Sequence, residues 1–354
     1  MKILIVKTSS LGDIVQCFPV LDFIQSRIPD AEIDWVAETS CAELVEAHPA
    51  VHQVIHIHTR KWRKEIFSLK TIKEIRGVCK ILRKKKYDVV IDLQGNAKSG
   101  CITFLTRGLQ KIGFGIRSVP EKINLLATNI RYETPQSGNI RKGYLSIPEQ
   151  YFKDFPIINE SKIFPLLHIS EEEQKTITSY LSAPGITGSP CFLVCPGANW
   201  KNKQLPFQNL SEFLKKIEAH EKKCSWLFIW GSEKEKRICL SLQKIFPENS
   251  LVPDRISLPA LQNLMGNVSK VIAMDSLPLH LAATTNTPTF GIFGPSSAIK
   301  YSPPGNNHVT IQGNCPYNRK FEKRCPILRS CSSGACIQEL CSDQLFNAYL
   351  AANS

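Results

Sequence analysis

Short apolar runs alternate with longer amphipathic ones from the first residues of the chain. Residues 2–7, Lys2-Ile-Leu-Ile-Val-Lys7, read as a buried strand, residues 8–13 as a small polar turn, and residues 14–27 as a helix. Strands are predicted again over 32–37, 52–56 and 87–92, with a strongly basic helix over 70–86 ahead of the last of these. Alternation of strand and helix predicts a parallel sheet, because parallel neighbours need a crossover that a helix supplies.

Turn formers concentrate in Ser182-Ala-Pro-Gly-Ile-Thr-Gly-Ser-Pro190, and the pattern restarts directly after them. A boundary there gives domains 1–184 and 185–354. In the second domain strands are expected over 191–195, 226–230, 271–274 and 289–293, and helices over 206–220, 233–246 and 258–266. The expectation is an α/β protein of two doubly wound, Rossmann-like sheets facing a central cleft. Ligands of such sheets bind beyond the carboxyl ends of the strands, so chemistry is expected in the loops after Lys7, Asp92, Cys195, Trp230 and Met274.

Composition supports this division: 354 residues with 43% hydrophobic content exceed the size at which one core usually keeps growing. The apolar runs are too short to cross a bilayer, and polar residues 8, 9, 12 and 13 interrupt what would be the core of a signal peptide, so a cytoplasmic protein is expected. Thirteen cysteines in a chain of this size, an odd number, are read as reduced thiols. A net charge of +13 calls for an anionic partner, whether nucleic acid, a membrane surface or a phosphorylated substrate.

Asp13 stands in the first strand-to-helix turn beside Ser9, Ser10 and Gly12, where a carboxylate would project toward a ligand. An aspartate there serves equally well as a helix N-cap. The small residues allow close approach, and a helix N-terminus favours anions. After Cys195 the loop carries Asn199, Lys201 and Lys203, cations suited to a diphosphate or simply a solvated loop. Asp275 and Ser276 follow the strand ending at Met274; either can cap the next helix, which Pro278 suits early and on which His280 falls. Glu235, after the strand ending at Trp230, is a candidate for ribose hydroxyls or a plain surface charge. The chain has no G-x-G-x-x-G after a strand, no G-x-x-x-x-G-K-[ST], no H-E-x-x-H and no Asp-x-Asp pair suited to a magnesium-bound sugar diphosphate.

Taken together these positions resemble glycosyltransferase family 9, over nearly the whole chain. The likeness is carried by Ile3-Leu-Ile-Val-Lys-Thr-Ser-Ser-Leu-Gly-Asp13, by Arg60-Lys-Trp-Arg-Lys64 with Phe67-Ser68, and by Tyr87-Asp-Val-Val-Ile-Asp-Leu-Gln-Gly95 with Lys98-Ser99. The resemblance implies a GT-B fold and an inverting, metal-independent enzyme without a cofactor. It implies transfer of heptose from ADP-L-glycero-D-manno-heptose to Kdo of Kdo-lipid A during lipopolysaccharide inner-core synthesis. It further implies peripheral contact with the anionic cytoplasmic face of the inner membrane, and no nucleic acid partner. By the same likeness Asp13 is the general base. Ser10, Arg60, Arg63, Lys64, Gln94 and Lys98 belong to the acceptor, and Asn199, Lys203, Glu235, Asp275, Ser276 and His280 to the donor.

The chain departs from the family pattern at three places. Leu277 replaces a glycine that lets backbone amides approach the diphosphate. Pro120 stands where an arginine is usual, leaving Arg117 or Lys122 to hold the acceptor. Gln204-Leu205 replaces the aromatic after the donor lysine. Five tail cysteines, Cys315, Cys325, Cys331, Cys336 and Cys341, contain no C-x-x-C pair, so no metal site is expected there. Two rivals remain. One is a family member acting on a later core sugar or a protein. The other is a basic protein binding anionic polymers or membranes, suggested by Lys84-Lys85-Lys86, although that run lacks interleaved aromatics.

Overall fold

Among the described residues, twelve strands form two sheets. They are β1 (Lys2–Val6), β2 (Glu32–Glu38), β3 (Gln53–Ile57), β4 (Lys86–Asp92), β5 (Arg107–Phe114), β6 (Ile130–Tyr132), β7 (Cys191–Cys195), β8 (Ser225–Phe228), β9 (Ser250–Leu251), β10 (Lys270–Met274), β11 (Thr289–Phe293) and β12 (His308–Gln312). The computed structural model describes residues 1–65, 67–158, 165–319, 321–328 and 330–351. The chain divides into two units, Met1–His168 and Ile169–Ser354. The helix Glu171–Leu181, which precedes the turn-rich stretch, falls in the second.

The first sheet runs β3-β2-β1-β4-β5-β6 and the second β12-β11-β10-β7-β8-β9. Every pairing within them is parallel, for example Ile5 with Trp35 and Val271 with Thr289. Numbered from its own first strand, each sheet has the order 3-2-1-4-5-6 of a doubly wound fold, so the Rossmann-like pair expected of the GT-B class is what the chain builds. In each sheet the order reverses between two central strands, β1 and β4 in the first and β7 and β10 in the second. Loops leaving the carboxyl ends of those strands diverge and leave a crevice at that edge.

The central strands are almost wholly buried because both faces carry helices, which is why they read as continuous apolar runs. Leu4, Val6, Val36, Tyr87 and Val90 share one core in the first unit. In the second, Trp226, Phe228, Phe213, Phe246, Phe290 and Tyr349 form another, into which the C-terminal helix Ser342–Ala351 inserts Leu345 and Tyr349. Each such side chain contributes roughly 1.5–3 kcal/mol on full burial.

Three local results differ from the expectation. The helix read over 14–27 is two helices, Leu11–Val15 and Phe18–Arg27. Pro19 has no N–H and its ring would clash with the carbonyl of Val15, so one helix ends and another starts around Cys17. The basic helix, Leu69–Lys84, buries only Thr71 and Leu82 and leaves most of its cations exposed. Strands β5, β6, β9 and β12 had no signal in the apolar pattern: β5 starts polar, β6 and β9 are very short, and β12 is half-exposed at a sheet edge.

Candidate functional site

Asp13 lies in the first turn of the Leu11–Val15 helix, at the carboxyl edge of β1. It is the third helical residue and not the N-cap; Ser10 is the cap, so the alternative reading of Asp13 as a capping residue is corrected in detail. Asp13 Oδ2 accepts from the Ser10 backbone N–H at 3.2 Å and from the Ser10 hydroxyl at 2.6 Å. Oδ1 makes no hydrogen bond among the described residues. One oxygen is therefore fixed by the turn, and the other is left to accept a proton.

The neighbouring loop at the reversal point supports that turn. Gln94 Oε1 accepts from the backbone N–H groups of Thr8, at 3.2 Å, and Ser9, at 3.5 Å. Beneath them lies Lys7, a buried ammonium that sequence reading passed over. It donates to the Leu93 carbonyl at 3.0 Å and the Tyr144 hydroxyl at 2.9 Å. Burial works against its charge, but Tyr144, Cys17 and Asp13 together outweigh that and raise the lysine above its ordinary range. Asp13 thus stands within electrostatic reach of a permanent cation.

Arg60, Arg63 and Lys64 all project from the short helix Thr59–Lys64 into solvent and form no ion pair among the described residues. The helix is fastened from its other side, where Lys61 donates to Glu74 at 2.8 Å and Trp62 Nε1 to the same carboxylate at 3.0 Å. Its start is held by Glu38, which accepts from the Thr59 backbone at 3.1 Å and from the Thr59 hydroxyl. Lys98 is brought to the same carboxylate, 3.1 Å from Glu38 Oε1. Glu38, buried at the end of β2, is the functional candidate that sequence reasoning missed. The available signal was an acid at the carboxyl edge of a predicted strand.

Pro120 occupies a structural position. Gly95 adopts φ +71°, and a β-carbon there would come within 2.6 Å of Pro120 Cδ and 2.8 Å of the Phe114 ring. Arg117 and Lys122 are both exposed near it. The Arg117 backbone N–H donates to Glu133 at 3.1 Å.

In the second unit the predicted residues converge on Gly197, in the loop after β7. A β-carbon on Gly197 would lie 2.0 Å from Glu235 Oε1, so the glycine lets the carboxylate lie flat against the backbone. Glu235 also accepts from the Gly231 N–H at 2.8 Å. From the other side, the Ser276 hydroxyl donates to the Gly197 carbonyl at 3.3 Å. Ser276 caps the Leu277–Ala282 helix, with Pro278 in its first turn.

Next to Ser276, Asp275 is buried and ion-paired with Lys203, whose ammonium also reaches the Asp275 carbonyl at 3.4 Å. His280 Nε2 stands 3.7 Å from the same carboxylate. Burial by itself would raise the Asp275 carboxyl. The His280 hydrogen bond and the Lys203 charge overcome it and hold the group well below the usual carboxylate range. Lys203 is therefore a buried, partnered cation and not a solvated loop lysine. Two of its three N–H donors are used among the described residues. Lys201 and Asn199 are exposed, and Asn199 makes no hydrogen bond among the described residues, so the fold does not draw it into this cluster.

Comparison with known proteins places the chain in a family. The profile of glycosyltransferase family 9 (heptosyltransferase) matches residues 75–330. Lipopolysaccharide heptosyltransferase 1 of Pseudomonas aeruginosa is 28% identical over 329 residues, which cover 92% of this chain and 87% of that one. Among solved structures, Escherichia coli heptosyltransferase WaaC with ADP-2-deoxy-2-fluoro heptose matches with a TM-score of 0.78 at 22% identity, covering 100% of both chains. The same enzyme with ADP matches at 0.71 and 25% identity over 89% of this chain and 94% of that one.

Proposed function

Because the chain belongs to glycosyltransferase family 9, the heptosyltransferases, we propose that it transfers heptose from ADP-heptose to Kdo of Kdo-lipid A in the lipopolysaccharide inner core. It is a glycosyltransferase, and its relatives are heptosyltransferases of lipopolysaccharide synthesis. The ADP-sugar donor is supported by the relatives solved with ADP and with a fluorinated ADP-heptose.

The observation that carries the reading is the state of Asp13, a carboxylate with one oxygen locked by Ser10 and the other open. In the proposed reaction that open oxygen takes the proton of an acceptor Kdo hydroxyl as the hydroxyl oxygen attacks the anomeric carbon. The bond to ADP breaks on the opposite face, so the configuration inverts. A placed general base contributes about 10²- to 10⁴-fold. On the donor side, the remaining N–H of Lys203 meets the diphosphate and offsets the charge that grows on it as it leaves. Glu235, held against Gly197, takes the ribose hydroxyls.

The acceptor carries carboxylates and phosphates, and the unpaired Arg60, Arg63 and Lys64 suit both. A peripheral contact with the anionic inner-membrane surface is supported by the exposed Lys70, Lys73, Arg76 and Lys80 beside Phe67, 95% exposed, and Leu69, 85% exposed. No helix among the described residues is long and apolar enough to cross a membrane.

Product analysis with ADP-heptose and Kdo-lipid A, without added divalent cation, tests the proposal. One heptose should be joined to Kdo with inverted configuration. Retention, transfer only to a later core sugar or a protein, or an absolute need for added magnesium or manganese would overturn it.

A further inference from the structure

Residues 313–334 contain no helix or strand among those described; their one β-bridge to the rest of the unit among the described residues is the isolated pair Ser296↔Arg324. Most of the described residues there are exposed, but Cys325, Leu328 and Gly334 are buried, and a loop of that length without secondary structure is uncommon in a compact domain. Cys315, Cys325, Cys331 and Cys336 line a single pocket there with Asn202 and Leu328. The fifth tail cysteine, Cys341, is exposed and lies outside it. Cys336 stands within electrostatic reach of the other three. Cys331 Sγ accepts the Gly334 N–H at 3.4 Å and lies 3.7 Å from the Ser333 hydroxyl, contacts that favour a thiolate. Gly334 makes that turn at φ +57°.

We propose that Cys315, Cys325, Cys331 and Cys336 bind one thiophilic divalent cation, zinc or ferrous iron, in a structural four-thiolate site. Four thiols release their protons to solvent as four metal–sulfur bonds form, and no electron is transferred. Cys331 and Cys336 are separated by four residues, within the spacing that structural zinc ligands use. The absence of a C-x-x-C pair therefore does not exclude the site, because the fold brings the other two ligands from farther away. The thiols have yet to converge: among the described residues only Glu32, Asp34 and His52 bring three donor atoms within 4.8 Å of one another. That trio already holds the Lys85 ammonium, 2.6 Å from Asp34, where a cation would sit. The cysteines close onto their metal as it binds, so loading and ordering of the tail are one event.

The site is tied to the loop that carries Lys203. The Asn202 amide donates to the carbonyls of Leu328 and Cys331, both at 2.8 Å. Metal loading therefore steadies the turn next to Lys203. This last link rests on the donor reading of Lys203, whereas the metal site does not.

The test is metal analysis of the full chain, expressed with zinc and iron in the medium and purified without a metal-affinity step. About one zinc or iron per chain is expected, falling below about a tenth in the Cys315→Ser/Cys336→Ser double variant and unchanged in Cys341→Ser. The metal analysis itself distinguishes iron from zinc. Should the double variant fail to fold, the reduced, metal-free wild type is titrated with cobalt(II), and the visible bands of tetrahedral cobalt thiolate are expected. A metal-free wild type that gives no such bands, or metal retained by the double variant, overturns the site. Either result leaves the heptosyl transfer reading standing, because that is read from product analysis.

Discussion

The two units build the same sheet and use its edge in opposite ways. In the first, Asp13 has one open oxygen at the reversal point, and the cations available to a ligand, Arg60, Arg63 and Lys64, follow the edge strand β3, exposed and with no ion pair among the described residues. At the reversal point of the second, Lys203, Asp275 and His280 form a buried cluster whose partners are already in place. Topology thus fixes where a ligand sits and leaves open how the site is prepared for it. Under the proposed assignment, an exposed cationic face suits a large anionic acceptor, and a buried, preorganised cluster suits a small donor bound the same way in every cycle.

The sharpest way to break this comparison is at Asp13. Asp13→Ala should lower turnover by about 10²- to 10⁴-fold with ADP affinity unchanged, because a base acts in the transition state and not in donor binding. Since Asp13 also closes the turn with Ser10, Asp13→Asn serves as the folded control and should be equally slow. Wild-type turnover in either would remove the base from Asp13.

In the second unit the expected loss is of stability and donor binding together. Asp275→Asn strands Lys203 as a buried, uncompensated cation, a change that typically costs about 3–5 kcal/mol. A lower melting temperature together with weaker ADP binding is expected by calorimetry and titration. Unchanged stability would mean that the cluster is not the preorganised half of the comparison.

Arg63→Ala probes the adaptable half. A charge-assisted hydrogen bond contributes roughly 1.5–3 kcal/mol, so acceptor use should weaken about ten- to a hundredfold while the donor KM hardly moves. If Arg63 is only part of a solvated face, the change stays below about twofold. Steady-state kinetics with each substrate varied separately decides, and impairment toward ADP-heptose alone would reverse the assignment.

The smallest effect concerns pH. His48 is buried in the first unit against the Phe18 ring, and burial pushes its imidazole down to about 3, with His168 adding to the shift. It stays neutral in the fold while the unfolded chain protonates it below about 6.5, so its contribution is complete above that pH and is lost as pH falls toward 3. Asp22, raised by burial to about 6, acts in the opposite sense over part of that range, so the measurement must be a difference. The melting-temperature gap between wild type and His48→Asn should narrow as pH falls from about 6.5. A gap that stays constant would overturn the assignment. Asp275, held low, gives the second unit a stability that persists until more acid pH.

Much of this was legible in the chain. Central strands β1, β4, β7 and β10 are buried on both faces and had to be apolar, so their loops, and with them Asp13, Gln94, Lys203 and Asp275, were located before any coordinates. Polar, short edge strands such as β6 and β12 left no such trace. Partnerships were hidden too. Glu38 meets Lys98 across 60 positions, Lys203 meets Asp275 across 72, and local periodicity carries no information about such separations.

The sequence by itself determined the alternation of strand and helix, the position of the turn that carries Asp13 and the family, because these depend on local pattern and on residue identity at short spacing. Only the tertiary structure decided which charges are buried and paired and which stay open to a ligand. It also decided that four distant cysteines share one pocket. Burial and pairing are set by what the rest of the chain packs against each group, and that is a property of the whole fold.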